Sequence, residues 1–366
     1  MKKLYFLFAI VFAAGIAMAQ NTSVVEQVGS TNDAEVTQTG STNNATSHQF
    51  GDSHVVGLIQ NGTGNIGITD QINGNNNDAT INQDGTSNQA YLTQGMTVGY
   101  LGAGYASSNV PASNNVGIIT QIGTSNEIDF VQVGDDNVGS VTQDGNGNKG
   151  YAYQGWAYGF WGETAETSAL SSYSSVASVQ QTGETNFGAV WQYGGTAKAI
   201  ITQNGDDNMA QISQGFIYDD ANYDFTHPKY NTKDNLAWVA QDGKDNSVRL
   251  FQLGDNNTFM LEQKGDGNTV GGRGLAGLEA VRNGYFRQDG DGNFFNGVQS
   301  NGATLDDESF QDGESNGISL SQGDDDWAVI KQFGNGNIAI LAQGGVGNEA
   351  TILQSGANNA ASVTQN

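Results

Sequence analysis

Hydrophobic and polar positions alternate with a period of two in short runs that end on glutamine, and such runs recur along almost the whole chain. Stepping back by two from a glutamine gives the same set each time: Asn32, Ala34, Val36, Gln38; Asn137, Gly139, Val141, Gln143; Asn208, Ala210, Ile212, Gln214; Asn348, Ala350, Ile352, Gln354. A side-chain period of two is that of a β-strand, whose successive residues point to opposite faces. One face therefore carries amide, small residue, aliphatic and amide, and the other carries variable residues such as Asp33, Glu35 and Thr37. The uniform face is predicted to be buried. Of the 25 intervals between successive glutamines of the series from Gln27 to Gln365, 18 are 11 residues long, two are 12, one is 10 and four are long. Regularity of this kind marks a repeat architecture.

Between the runs lie Gly, Asn and Asp, as in Asp144-Gly145-Asn146-Gly147, residues that tolerate positive φ and form turns. About seven residues of strand and four of turn make one unit, and two units make a two-stranded rung of about 22 residues that can stack on its neighbours through main-chain hydrogen bonds. The predicted fold class is all-β: a flattened, cross-β solenoid of about 13 rungs. Its structural ladder is expected to run through Gln27, Gln38, Gln132, Gln143, Gln192, Gln203, Gln252, Gln263, Gln343 and Gln354, with Asn126, Asn137, Asn337 and Asn348. Buried amides are costly when unpaired, but identical amides stacked one above another donate to and accept from each other.

Four interruptions break the rhythm. After Gln94, Gln154 and Gln214 the next glutamine comes 27 residues later, so inserts are expected at about 95–114, 155–174 and 215–234. Counting strands puts all three on one edge of the solenoid. They hold Tyr100 and Tyr105, Trp156 and Trp161, Phe216 and Tyr223, which are candidate lateral contacts to a glycan, a neighbouring filament or a host surface, or else pack on the solenoid flank. Between Gln263 and Gln288, a degenerate strand is predicted at Asn268 to Gly274, followed by an extended turn at 275–281 on the same edge.

The pattern Asn-x-Ala-x-(aliphatic)-x-Gln-x-Gly-x-x-Asn, in register over stretches such as Asn126 to Asn137 and Asn337 to Asn348, resembles the curlin repeat of curli fibre subunits, the functional amyloids of bacterial biofilms. The resemblance covers nearly all of residues 20–366. It implies export through a dedicated outer-membrane pore, polymerisation with copies of itself on a surface nucleator, and residence in an extracellular fibre on the bacterial surface. The chain departs from a familiar curlin in its greater number of rungs and its long inserts.

Composition agrees with that address. Met1 to Ala19 has Lys2, Lys3, an apolar run from Leu4 to Ala17 and Ala17-Met18-Ala19, which reads as a signal peptide over 1–19. No later segment approaches the roughly 20 apolar residues of a membrane span. Cysteine is absent, so stacking has to replace disulfides. With Lys2 and Lys3 removed from the 13 basic residues, 11 remain against 38 acidic ones, a balance that argues against nucleic acid. The acids fall on outward positions and turns, where a solvated surface discourages sideways association.

Enzyme-like motifs fail on context. Gly272-Arg273-Gly274-Leu275-Ala276-Gly277 matches a dinucleotide fingerprint without a βαβ setting. Asp289, Asp291 and Asn293 imitate the start of a calcium loop, yet Ser300 stands where a bidentate glutamate is required. His48, His54 and His227 form no catalytic or metal constellation, and His54 replaces an inward asparagine. No enzyme activity, cofactor or metal is expected. The sequence reading is a secreted structural subunit that assembles end to end, since Asn21 to Gln27 and Asn359 to Gln365 are themselves strand units; the rival reading is a monomeric solenoid adhesin.

Overall fold

Local alternation becomes a global architecture because every strand end turns the chain back beneath itself. The computed structural model describes residues 20–97, 109–110, 112–155, 172–215, 232–271, 286–306 and 308–366, and no helix occurs among them. Strands alternate between two parallel sheets. Sheet I runs from Thr22–Val28 and Asn44–Asp52 to Trp327–Phe333 and Glu349–Ser355; sheet II runs from Asp33–Ser41 and Val55–Thr63 to Ile338–Val346 and Ala360–Gln365. Sheet II has 13 strands, and sheet I has 15 segments of which two pairs share a row, so the chain forms 13 two-stranded rungs. The protein is the flattened β-solenoid that the 11-residue rhythm predicts.

Counting the inward asparagine as place one, places one, three, five and seven of each strand face the core. Glutamine stacks on glutamine throughout: Gln143 pairs with Gln121 on one side and Gln181 on the other. In most strands the two sheets approach closely because a small residue at place three of one strand meets a large residue at place five of the facing strand. A Cβ added to Gly139 would lie 2.3 Å from the Phe130 ring, and one added to Gly150 would lie 2.7 Å from a Val141 methyl. In rung 10 of sheet II the order is reversed, with Phe295 at place three and Gly297 at place five; Phe295 stacks on Phe259 at 4.6 Å and meets Phe286 at 4.9 Å.

Turns repeat one backbone form. The glycine two residues after a glutamine has strongly positive φ, as at Gly145 (134°), and a side chain there would strike the carbonyl oxygen of Gly183 in the next rung at 1.9 Å. Glycine is demanded by both the dihedral angle and the stacking. Two residues later comes a second left-handed position filled by Ser, Thr, Asn, Asp or Gly, such as Ser125 (57°), Asp136 (59°) and Gly147 (66°).

The fourth interruption corrects the expected degenerate strand at Asn268 to Gly274. Thr269–Val270 pairs with Ser247 and Val248, and the same row is completed by Phe286–Asp289, which pairs with Leu250 to Leu253. Asn268, Val270, Phe286 and Gln288 thus make up one strand, with residues 272–285 inserted in its middle instead of at a turn; 272–285, including 275–281, lie outside the described residues. The next row is split at the same point: Thr304–Leu305 stacks under Thr269–Val270 and Phe310–Asp312 under Phe286–Asp289. A strand stacked on an interrupted strand has no continuous ladder to match, so it bulges beside the gap. Trp327–Phe333 then spans both halves and restores the regular row.

Gln94, Gln154 and Gln214 all belong to sheet I, so the segments that follow them leave from one edge and from alternate rungs. That edge carries a narrow strip of two-residue strands, Ala112–Ser113, Gly134–Asp135, Ser172–Tyr173, Gly194–Gly195 and Thr232–Lys233.

Candidate functional site

The glutamines at place seven form two continuous hydrogen-bonded columns. In sheet I the amide nitrogens run Gln27 to Gln49, Gln71, Gln94 and on to Gln354 through 12 bonds of 2.6–3.2 Å. In sheet II they run Gln38 to Gln60, Gln83, Gln121 and on to Gln365 through 12 bonds of 2.8–3.1 Å. Every bond is donated from one rung to the next higher rung. The amides also hold the two sheets together, since from Gln38 onward each Nε2 reaches a main-chain carbonyl of the facing strand, as Gln143 reaches Glu127 at 3.1 Å and Gln132 reaches Val116 at 3.0 Å.

The asparagines at place one form a second pair of columns with opposite polarity. The backbone N–H of Asn148 donates to Asn126 Oδ1 at 3.0 Å, and that of Asn137 to Asn115 Oδ1 at 2.9 Å. Asn126 Nδ2 closes the turn by donating to the carbonyl of Gly145 in the next rung at 2.9 Å. Among the sequence-predicted ladder residues, Gln132, Gln143, Gln192, Gln203, Gln252, Gln263, Asn137 and Asn337 are fully buried, and Asn126, Gln343 and Gln354 nearly so. Gln27, Gln38 and Asn348 sit in the first and last rungs and are partly open to solvent.

The columns stop with unused capacity. Among the described residues no donor reaches Oε1 of Gln27 or Gln38, whereas Gln354 and Gln365 donate only to carbonyls and lack the Oε1 of a following rung. The strand of rung 1 in sheet I is exposed along its whole length. The outward residues of the two ends are compatible in the same register: continuing the columns would set Leu353 against Glu26, Ala360 against Asp33, Ser362 against Glu35 and Glu349 against Thr22, so that no carboxylate meets another.

Several positions depart from the pattern. His54 fills an asparagine place, fully buried, its Nδ1 facing the N–H of Asn77 at 3.4 Å; burial holds its pKa below the ordinary 6.5. Asp326 also fills an asparagine place and accepts from the backbone and side-chain N–H groups of Asn348 at 2.7 and 2.9 Å. On the outer face of sheet I, Tyr153 donates to Asp129 at 2.8 Å and stacks 6.4 Å from Trp191; burial raises the Asp129 pKa, and burial together with nearby carboxylates pushes Tyr151 up to about 12. His48 pairs with Asp70 on that face at 2.7 Å.

The turn acids have a role that composition does not show. Asp255, Asp266 and Asp291 each accept a backbone N–H from the rung before, at 2.8 Å, from Lys233, Lys244 and Asp255 respectively. Asp291 and Asn293, the apparent start of a calcium loop, are a turn acceptor and an inward ladder asparagine. Among the described residues no group of three His, Asp or Glu side chains is arranged to hold a metal ion. Tyr100, Tyr105, Trp156, Trp161, Phe216, Tyr223, His227 and the 272–277 glycine motif lie outside the described residues, as do 1–19.

A family model, the curlin associated repeat, matches residues 19–40, 32–62, 74–99, 232–265 and 339–366. The stretch 100–231 holds most of the three long inserts and 266–338 the split rungs; the glutamine columns run unbroken through both. No curated protein matches the chain.

Proposed function

We propose that this chain, a curlin-family repeat protein, is the structural subunit of an extracellular, curli-like amyloid fibre that grows by end-to-end stacking of rungs. The observation that carries the reading is the uniform direction of the amide columns. Each rung presents to the next the same donors and acceptors that it takes from the one before, so rung 1 of another copy is chemically equivalent to a fourteenth rung. Gln354 and Gln365 would donate to the incoming Gln27 and Gln38, and the backbone N–H groups of the incoming Asn21 and Asn32 would donate to Asn348 and Asn359. Main-chain groups of the same edges would complete the sheets. The family is a structural one, and a role in matrix cohesion and adhesion follows from a cross-β polymer outside the cell. The same reading places the chain beyond the bacterial envelope after removal of residues 1–19, exported through a pore and started on a surface nucleator of curli type.

The test is polymerisation of the purified chain from residue 20. Fibres with a meridional spacing of about 4.8 Å, lengthening by roughly 62 Å for each chain added, are expected. A soluble monomer that persists for days at high concentration in the presence of seeds overturns the proposal.

A further inference from the structure

The two broad faces of the solenoid are unlike, and the difference lies in what they expose. Setting aside rungs 1 and 13, 12 large apolar side chains are exposed among the described residues, and ten of them belong to strands of sheet II, including Ile118, Val138, Phe294, Val298, Ile338 and Ile340 at 39–52%. Charge is distributed the opposite way. At places two, four and six of all 13 strands of sheet II only Asp33, Glu35, Asp78, Lys198 and Glu262 are ionisable, in a chain of net charge −25, and Glu262 is already paired with Lys264 at 2.9 Å. Rungs 4 to 6 and 10 to 13 carry none there. Sheet I sets Glu127, Asp129, Lys149, Arg249, Arg287 and Lys331 on its outer face. Inserts leave neither the strands of sheet II nor the edge that leads from sheet II to sheet I.

We propose that the outer face of sheet II is the surface through which two copies of this chain pair side by side, face to face. A second copy suits this face on electrostatic and geometric grounds. A protein of this net charge repels itself along both acid-bearing edges, and pairing over sheet I would strip water from the acids and bases mixed on that face. Sheet II is the broad face over which two copies approach with the fewer ionisable side chains to desolvate, none of them in rungs 4 to 6 or 10 to 13. Thirteen strands spaced at about 4.8 Å, each about 20 Å long, make a flat patch of roughly 1,200 Å² on each copy, above the roughly 800 Å² per partner of a stable interface. A patch rich in β-branched, Ser and Thr side chains on a pleated sheet packs against its own likeness at about 10 Å, as paired cross-β sheets do. A twofold axis between the faces makes the contact self-complementary and closes it at two, leaving sheet I outward on both sides. In a polymer this gives a filament of two stacks.

The triple variant Ile118→Glu/Val138→Glu/Ile340→Glu tests this, with Asn44→Glu/Gln89→Glu/Thr351→Glu, all exposed on the outer face of sheet I, as the charge-matched control. Mass per length of unstained fibres should read two chains per roughly 62 Å for the wild type and the control, and one for the triple variant, a twofold fall at unchanged 4.8 Å diffraction. Wild-type fibres with one chain per repeat, or a triple variant that keeps two, overturn the pairing and leave the proposed function standing. If no fibres form at all, the end-to-end reading has failed on its own, and sedimentation decides the pairing separately: a wild-type dimer with a monomeric triple variant supports it, and a wild-type monomer overturns it.

Discussion

Replacing Gln143 by methionine, which keeps length and volume while removing the amide, isolates the value of one member of a column. In the wild type Gln143 Nε2 donates to Gln181 Oε1 at 2.8 Å and to the Glu127 carbonyl at 3.1 Å, and its own oxygen accepts from Gln121 at 3.0 Å; all three glutamines are fully buried. Methionine leaves one N–H of Gln121 and the Oε1 of Gln181 without partners in a site that water does not reach. Each orphaned group costs about 1–3 kcal/mol, so a loss of roughly 3 kcal/mol is expected once the more favourable burial of a thioether is set against it. The informative comparison is the double variant Gln143→Met/Gln181→Met. Gln181 takes its unmet oxygen away with it, and the next orphan becomes Gln203 Oε1, to which Gln181 donates at 2.9 Å. The number of orphaned groups at the ends of the apolar block stays the same, and the added loss is the 3.0 Å bond from Gln181 to the Lys149 carbonyl, worth about 1 kcal/mol. The double variant should therefore cost roughly 4 kcal/mol where the sum of the singles is about 6, a coupling of about 2 kcal/mol. Guanidinium unfolding of wild type, both singles and the double, with Thr142→Ser as an outward control, measures the cycle. Additive losses, or a control as damaging as Gln143→Met, would falsify the ladder account.

Three further outcomes follow from particular contacts. Because burial lowers the pKa of His54, the unfolded chain takes up its proton first; the stabilising contribution is present above the unfolded value of 6.5 and is lost as pH falls towards and through the lower folded value. His54→Asn, which restores the ladder residue, should flatten that part of the pH–stability curve, and an unchanged slope would count against a buried neutral imidazole. Gly139→Ala forces a methyl to 2.3 Å from the Phe130 ring and should cost about 1–3 kcal/mol, most of it recovered by adding Phe130→Leu; no recovery in thermal melts would refute the large-against-small packing of the facing strands. Asp266→Ala removes the acceptor of the Lys244 N–H and should destabilise by about 1 kcal/mol, whereas Asp266→Asn keeps an acceptor in place and should be milder; equal effects would show that charge alone matters at these turns.

What the sequence determined by itself is everything that depends on neighbours within one unit. A strand's period of two identifies Asn137, Gly139, Val141 and Gln143 as one buried face, because inward and outward side chains alternate whatever lies next door. The 11-residue spacing then sets the two-stranded rung and the stacking of glutamine on glutamine, and a register slip of one residue would turn every amide to the outside. Tertiary structure decided the features that depend on a rung lying 20 or more residues away. Gln263 and Gln288 are 25 residues apart, and nothing local distinguishes a degenerate strand plus a long turn from one strand cut in two; only pairing with Ser247–Leu253 shows that Val270 and Phe286 share a row. The 12-residue step from Gln299 to Gln311 looks like an ordinary turn variant, yet it combines a shortened turn with a bulge imposed by the split row beside it. The acids of the turns read as solvated charge, and their acceptor role appears only when Asp266 is placed against Lys244 of the rung before. The same is true of the two broad faces. Each strand of sheet II holds only three outward residues, and their lack of charge becomes a surface property only when 13 of them are laid side by side.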